Sequence, residues 1–161
     1  MALKDQVLTL LEQHKGSYLS GEEMAEQLGV SRNSVWKAIK QLQTEGHQIT
    51  GVNRLGYTLD SRNNVLSAPG IQKYLKDPAL QITVQSSVTS TNTLLKQAAE
   101  NGAPEGTVLV AEEQTAGRGR LGRSFYSPAG TGVYFSLVLR PTFSAAESSL
   151  ITTCAAVAAA G

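Results

Sequence analysis

The sequence predicts an α+β fold built from two successive domains. In the first sixty residues, apolar side chains recur at helical spacing and then give way to two short β-like runs around a turn. Further on, β-branched runs alternate with amphipathic helices, which is typical of a mixed α/β domain. We therefore place one domain at residues 1–60, a polar linker at 61–65, and the first part of a mixed α/β domain at 66–161.

Composition limits the classes of function that are open to this chain. A hydrophobic content of 41% and a formal net charge of +1 suit a globular protein that has no global attraction to nucleic acid. The single cysteine, Cys154, excludes an internal disulfide and favours a reducing cytoplasm. The N-terminus lacks a signal-peptide pattern, and no apolar run is long enough to span a bilayer, so we expect a cytoplasmic protein without a membrane partner.

Three helices are predicted before residue 46. The first ends near Gly16, and the second begins at a capping box formed by Ser20 and Glu23 and ends at Gly29. The third begins at Ser31, which can cap its first turn. The inward positions predicted for the three helices are Leu3, Val7, Leu10, Leu11, Met24, Ala25, Leu28, Val35, Trp36, Ile39 and Leu42.

Residues 49–59 follow these helices and predict a β-hairpin, or wing, around a turn that contains Gly and Asn. Two short helices joined by a glycine turn and followed by a hairpin indicate a winged helix-turn-helix domain. Its third helix would enter the major groove of DNA. The outward side chains that could contact DNA are Arg32, Asn33, Ser34, Lys37 and Lys40 on the helix and Arg54 on the wing. The alternative is a winged helix that serves protein contacts or dimerisation, because the local positive charge is modest.

The second domain is predicted to begin with a helix from Ser67 that ends before Pro78. Strands are predicted at 80–84, 107–111 and 132–140, with a helix after the Ser/Thr-rich stretch 86–93 and a long loop at 112–129. A capping box from Ser144 to Glu147 opens a last helix, which is apolar nearly all round and so is expected to be buried. We expect that elements which cover this helix are missing, and that the isolated chain exposes apolar surface or self-associates.

The loop from Gln114 to Arg123 has the clearest chemical pattern, because three arginines alternate with three glycines. Arginine suits paired recognition of carboxylate and phosphate oxygens, and glycine lets the backbone approach a ligand closely. The pattern predicts a loop that folds over an anion and is mobile without it. It is neither a P-loop nor a Rossmann fingerprint, since the residues that define those motifs are absent. A flexible basic loop that touches RNA, or nothing, is the alternative.

Several motifs together resemble the bifunctional biotin–protein ligases, in which a winged helix precedes the ligase and represses the biotin operon. They are Ser90-Thr91-Asn92, the segment from Glu113 to Arg123, Ser127-Pro128, and Gly132-Val133-Tyr134-Phe135-Ser136. The resemblance implies an enzyme that makes biotinyl-5′-AMP from biotin and ATP with Mg2+, and then biotinylates a lysine of a carrier protein such as an acetyl-CoA carboxylase subunit. It also implies that biotinyl-AMP is a corepressor that promotes homodimerisation and binding to operator DNA.

By the same resemblance, each motif residue acquires an expected role. Ser90, Thr91, Asn92 and Gln114 would hold biotin. Gly117, Arg118, Gly119 and Arg120 would close over biotin and the adenylate, with Arg118 and Arg120 as catalytic residues and Arg123 in support. No metal ligand is assigned to this chain.

Some departures from the family pattern matter. Leu121 stands where some members have a basic residue, and Phe125 stands where a tryptophan is common, which should preserve a hydrophobic packing role. The family's Lys-Trp-Pro-Asn-Asp segment and small C-terminal β-barrel are absent from these residues. We therefore expect the 161 residues alone to make little or no biotinyl-AMP. Two other functions stay open: a winged-helix transcription factor that senses an anionic ligand without catalysis, and a relative of the lipoate ligases.

Overall fold

A computed structural model of the chain describes residues 2–77, 79–144, 147 and 149–160. The N-terminal elements are α1 (Leu3–Gln13), α2 (Gly21–Leu28), α3 (Arg32–Thr44), β1 (Ile49–Val52) and β2 (Gly56–Leu59). The later elements are α4 (Ala68–Gln72), β3 (Gln81–Val88), α5 (Thr91–Glu100), β4 (Thr107–Gln114), β5 (Tyr134–Leu137) and α6 (Ser149–Ala160). The predicted α+β fold, with a winged helix-turn-helix ahead of a mixed α/β part, is confirmed. Among the described residues, no helix is long and apolar enough to cross a membrane.

The predicted caps define the helix-turn-helix. The Ser20 hydroxyl oxygen accepts a hydrogen bond from the Glu23 N–H at 3.0 Å, and the Ser31 hydroxyl oxygen accepts one from the Ser34 N–H at 3.1 Å. Gly29 ends α2 in the left-handed conformation, with φ of 64°, which glycine adopts at little cost. These local signals therefore set the turn that orients α3 against α2.

The core of the first domain is formed by one face of each helix together with the hairpin. Its fully buried side chains are Leu11, Met24, Ile39, Leu42, Leu59, Val7 and Val35. Leu8 is buried and Leu10 only partly so, which rotates the predicted stripe of α1 slightly. Together the helical faces and the wing close a core that the helices alone could not complete.

The prediction that Trp36 belongs to this core is wrong. Trp36 is 48% exposed, and the buried side of α3 is formed by Val35, Ala38, Ile39 and Leu42. Successive helical residues are rotated by about 100°, so Val35 and Trp36 cannot both point along the same inward direction. Trp36 therefore lies on the solvent side of α3.

The wing is an antiparallel hairpin in which Ile49 pairs with Leu59 and Val52 with Gly56. Leu19 adds a short bridge to Tyr57, which attaches the wing to the residues before α2. Gly56 has φ of +103°, and a Cβ built there would lie 2.3 Å from the Leu19 carbonyl oxygen. Only glycine fits this close approach, so the wing position depends on Gly56.

A three-stranded sheet in the order β3-β4-β5 organises the second part of the chain. Strands β3 and β4 are parallel and α5 connects them, whereas β4 and β5 are antiparallel. Leu95 of α5 packs against Leu109 and Val138 on one face. Strands β3 and β4 are longer than predicted and β5 is shorter, which brings Val88 and Gln114 into register at one end of the sheet.

The apolar last helix is exposed in this structure, in agreement with the expectation that these residues leave apolar surface uncovered. Leu150 and Val157 of α6 are 54% and 67% exposed, and Phe135 of β5 is exposed as well. Periodicity establishes only that the helix is apolar, because burial also requires an element that covers it. The Ser144 N–H and hydroxyl both donate to the Glu147 carboxylate, so only the contact from Ser144 N–H to glutamate is that of the predicted capping box. Residues 145 and 146 lie outside the described residues, and the described helix begins at Ser149. Pro78, the predicted end of the earlier helix, also lies outside them.

Charged groups join α1 to α4 across the predicted domain boundary. The Glu12 side chain is 3% exposed, and its Oε2 atom lies 2.6 Å from Lys73 Nζ and 3.9 Å from Lys15 Nζ. Lys15 also donates to the Asn63 carbonyl oxygen at 2.7 Å. Because a carboxylate loses its hydration when it is buried, these two ammonium groups offset the cost of burying Glu12.

His47 lies beside this junction and is buried. Burial lowers the pKa of His47 from its usual value, while the nearby carboxylates Glu45 and Glu12 oppose that change. The Asn63 amide lies 3.4 Å from His47 Nδ1. The neutral imidazole is therefore the form that the folded chain favours.

Candidate functional site

A concave groove lies between α3 and the wing on the first domain. Arg32, Asn33 and Trp36 line it from the helix, and Val52, Asn53 and Arg54 line it from the wing. Arg54 occupies the hairpin turn with φ of +67°, an uncommon conformation for a side chain other than glycine. Three of the predicted DNA-contact residues, Arg32, Asn33 and Arg54, are therefore brought together on one surface.

The other predicted DNA-contact residues lie elsewhere on α3. Ser34 and Lys37 line a separate surface beside Lys4 at the start of α1. The Ser34 hydroxyl is within 2.9 Å of the Ser31 hydroxyl, so it is already engaged at the N-cap. Arg32 lies 4.0 Å from the Glu22 carboxylate, but both side chains are highly exposed and such pairs contribute little.

Trp36 also lines the groove, although the sequence analysis placed it in the core. Lys40 Nζ lies 6.0 Å from the centroid of the Trp36 ring, at the outer limit of a cation–π contact. The ring therefore faces the groove beside basic side chains. Its exposure could have been predicted from the helical spacing of Val35, Ile39 and Leu42. These three residues define the buried face of α3, and position 36 lies outside that face.

The second candidate site lies where β3 and β4 end and α5 begins. Ser90 is the N-cap of α5, and its buried hydroxyl accepts a hydrogen bond from the Thr93 N–H at 3.4 Å. Gln114, the last residue of β4, accepts hydrogen bonds from the Thr91 N–H at 2.8 Å and from the Thr91 hydroxyl at 3.1 Å. The structure thus brings Ser90, Thr91 and Gln114 together, whereas Asn92 is exposed in the first turn of α5.

The Gly/Arg loop is folded as an irregular hairpin above these residues. Gln114 forms an antiparallel β-bridge with Ser127, and Arg118 forms one with Ser124. A 3-10 turn at Arg120–Gly122 forms the tip of the hairpin. The base of the loop is fixed to the end of β3, since the Thr115 N–H donates to the Val88 carbonyl at 2.9 Å. The arginines therefore project from a hairpin that begins directly at Gln114.

Gly117 is buried inside the hairpin for a steric reason. A Cβ at this position would lie 2.6 Å from the Phe125 carbonyl oxygen and 2.8 Å from the Ser127 hydroxyl. The Gly117 carbonyl meanwhile accepts the Phe125 N–H at 2.8 Å. Glycine is thus required for the two arms of the hairpin to approach each other.

The three arginines of the loop are exposed. Within the part of the chain that the structure describes, Arg118, Arg120 and Arg123 have no carboxylate within 4.0 Å. At the tip, Leu121 is 95% exposed and has φ of +58°. The arginines thus present cationic groups whose hydrogen-bonding capacity remains available to an anionic ligand.

Two serines that were not assigned roles complete the polar cluster beneath the loop. The Ser136 hydroxyl donates to the Thr91 hydroxyl oxygen at 2.9 Å, and the Gln114 side-chain N–H donates to the Ser127 hydroxyl at 3.2 Å. Both serines occur in the motifs quoted above, but no periodicity connects them to Gln114. Their proximity follows from the pairing of β4 with β5 and from the hairpin bridge at Ser127.

The fold and these two surfaces define a class of protein: a winged helix-turn-helix joined to a ligase-type domain that carries a cationic loop. Comparison with known families agrees with both parts. A helix-turn-helix domain family matches residues 4–58, and the biotin/lipoate A/B protein ligase family matches residues 84–161.

The chain is also similar to two named proteins. The chain is 37% identical over 158 residues to the bifunctional ligase/repressor BirA of Bacillus subtilis (strain 168), covering 97% of this chain and 49% of that protein. It is 36% identical over 126 residues to the protein of the same name from Escherichia coli (strain K12), covering 78% of this chain and 38% of that protein. The chain is therefore similar to these bifunctional ligase/repressors along most of its own length, and it spans about half the length of these relatives or less.

Proposed function

We propose that the full-length protein is a biotin–protein ligase that also represses transcription in response to biotin. The observation that carries this proposal is the position of Arg118, Arg120 and Arg123. Their guanidinium groups extend from a hairpin whose base is Gln114, which is hydrogen-bonded to Thr91. A cationic loop thus begins directly at a cluster of hydrogen-bonded polar side chains. Such an arrangement suits a ligand that has a neutral polar end and an anionic end, as biotin does.

In the proposed reaction, an oxygen of the biotin carboxylate attacks the α-phosphorus of ATP, and pyrophosphate leaves. The amine of a carrier-protein lysine then attacks the carbonyl of biotinyl-5′-AMP, forming the amide and releasing AMP. The first step brings two anions together, and Arg118 and Arg120 would offset their repulsion while charge develops on phosphorus. The closed loop, with Gly117 and Gly119 in its arms and Arg123 in support, would keep water from the mixed anhydride.

The roles proposed for the remaining site residues follow their positions. Ser90, Thr91, Asn92 and Gln114 would hold biotin at the end of the sheet. Among the described residues, no group of three or more His, Cys, Asp or Glu side chains is arranged to bind a metal ion. In this proposal Mg2+ accompanies ATP as part of the substrate.

The repressor function is proposed for the groove between α3 and the wing. Arg32, Asn33 and Arg54 would contact operator DNA from the groove, while Ser34 and Lys37 would contact it from the adjoining face of α3. The corepressor would be biotinyl-AMP, which would promote a homodimer that reads two half-sites. The proposed acceptor is a biotin carboxyl carrier protein of acetyl-CoA carboxylase.

The ligase proposal is tested by following biotinyl-AMP formation in the full-length protein. Incubation with biotin, ATP and Mg2+ should give an adenylate that remains bound through gel filtration, whereas Arg118→Gly should release it. Arg62→Gly is the matched control, because Arg62 pairs with Asp60 in the linker and lies outside the site. Biotin binding without any adenylate would instead favour a ligand-sensing transcription factor, and no binding at all would refute both functions.

A further inference from the structure

The orientation of the Gln114 side-chain amide, with its oxygen on one side and its nitrogen on the other, is fixed by its neighbours. Its Oε1 atom accepts both the Thr91 N–H and the Thr91 hydroxyl, at 2.8 and 3.1 Å. A backbone N–H can only donate, so the oxygen of the amide must face Thr91. The Nε2 group therefore points the other way, toward Ser127 and the base of the arginine loop.

Ser127 determines where that Nε2 group lies. The Ser127 side chain is buried, and its hydroxyl hydrogen is donated to the Phe125 carbonyl at 3.1 Å. Since that hydrogen is committed, the Ser127 oxygen acts as an acceptor toward Gln114 Nε2 at 3.2 Å. One of the two Nε2 hydrogens is thus used, and the other has no partner among the described residues and can be donated to a ligand.

These contacts form a hydrogen-bond chain that runs in one direction. Ser136 donates to Thr91, Thr91 to Gln114, Gln114 to Ser127, and Ser127 to the Phe125 carbonyl. Ser127 is the link between the chain and the loop, because its backbone bridges Gln114 and its hydroxyl lies against Gly117. A partly buried chain in which each member has its partner favours a single arrangement of its side chains.

We propose that Ser127 is a positioning residue for biotin binding, which it serves by holding the Gln114 amide with an N–H group presented to the ligand. The proposal rests on the proposed biotin-ligase function. Without the Ser127 hydroxyl, the Gln114 amide loses one anchor and can turn away from the ligand. The effect should therefore fall on biotin and leave ATP unaffected.

The test measures steady-state kinetics and biotin affinity in the full-length protein. Ser127→Ala should raise the KM and Kd for biotin about five- to tenfold, the effect of one lost hydrogen bond, while kcat and the KM for ATP stay near wild type. Ser127→Cys keeps the size of the side chain and a weak hydrogen-bonding group, so it should be intermediate. Ser124→Ala is the matched control, because Ser124 is exposed and lies on the same arm of the hairpin, nearer its tip.

A double-mutant cycle separates positioning from a general structural role. If Ser127 acts through Gln114, then Ser127→Ala should weaken biotin binding little further in a Gln114→Met background. If the two substitutions raise the Kd for biotin by independent factors that multiply in the double variant, the proposal is overturned. A joint loss of kcat and of ATP affinity in Ser127→Ala would overturn it as well.

A second measurement tests whether Ser127 holds the Gln114 amide, independently of biotin. It therefore separates failure of this proposal from failure of the proposed function, which would appear as a wild type that does not bind biotin. The side-chain amide of Gln114 should give resolved, slowly exchanging NMR signals in the wild type, because one N–H is hydrogen-bonded. In Ser127→Ala those signals should move toward free-amide positions and exchange faster. Unchanged Gln114 signals would show that Ser127 does not hold the amide.

Discussion

The ion pair between Glu12 and Lys73 provides a measurable link between the two parts of the chain. The Glu12 carboxylate is almost fully buried, whereas the Lys73 side chain is 23% exposed and Lys15 lies farther away, at 3.9 Å. We predict that Lys73→Met destabilises the chain more than Glu12→Gln does. The reason is that Lys73→Met leaves a buried charge, while Glu12→Gln leaves an ammonium group that can turn into solvent.

The magnitudes follow from this asymmetry. Removing one partner of a fully buried pair costs about 3–5 kcal/mol, and the partial exposure of Lys73 together with the remaining Lys15 reduces this to about 2–3 kcal/mol for Lys73→Met. Glu12→Gln should cost about 1–2 kcal/mol, because it loses hydrogen bonds to charged groups but leaves no buried charge. The double variant Glu12→Met with Lys73→Met should be close to wild type, since apolar groups of similar size replace the pair.

Urea unfolding followed by far-UV circular dichroism gives these free energies. Lys4→Met is the matched control, because the Lys4–Glu45 pair is more exposed and should contribute about 0–1 kcal/mol. The hydrogen bond to Glu12 also raises the pKa of Lys73 above the ordinary lysine value of 10.5. The pair should therefore contribute fully below about pH 10.5 and be lost as the pH rises through the folded-state pKa. If Lys73→Met and Glu12→Gln cost no more than Lys4→Met, the buried pair does not join the two parts.

Three further predictions concern the loop, the core and the groove. Gly117→Ala should disrupt the hairpin at a cost of about 1–3 kcal/mol, and hydrogen exchange should show this as faster exchange of the Phe125 backbone amide. Gly119→Ala is the control: a Cβ at that position would meet nothing closer than 3.4 Å, so the Phe125 amide should stay protected. Burial lowers the pKa of His47, so the unfolding temperature should fall as the pH drops through about 6.5, and His47→Gln should flatten this dependence; equal slopes would contradict it. Trp36→Ala should weaken DNA binding by about 1 kcal/mol and change stability by about 0.5 kcal/mol or less, whereas a purely structural Trp36 would give the reverse.

The helix-turn-helix could be predicted from the sequence because its signals are local. The Ser20 and Ser31 caps and the glycine at position 29 specify where the helices begin and end, independently of the rest of the chain. The burial of individual side chains is harder to predict from the sequence, because it depends on which helical face packs against the neighbouring elements. Trp36 shows this: it is adjacent to buried Val35 yet faces the groove.

The candidate ligase site was only partly predictable for a similar reason. The alternating Gly/Arg pattern indicated an anion-binding loop, and Thr91 and Gln114 were singled out through the resemblance. Their direct hydrogen bond was not predictable, because it depends on parallel pairing of β3 with β4, which brings residues far apart in sequence together. The involvement of Ser127 likewise arises from a hairpin register that composition does not encode.

We propose above all that the arginine hairpin and the Thr91–Gln114 pair together bind biotin and activate it with ATP. Isothermal titration calorimetry on the full-length protein tests this most directly. We predict saturable heat when biotin is added alone, and tighter apparent binding of biotin when ATP and Mg2+ are present, because the adenylate engages the loop arginines as well as the Thr91–Gln114 pair. The absence of heat with biotin under both conditions would contradict the assignment of this site.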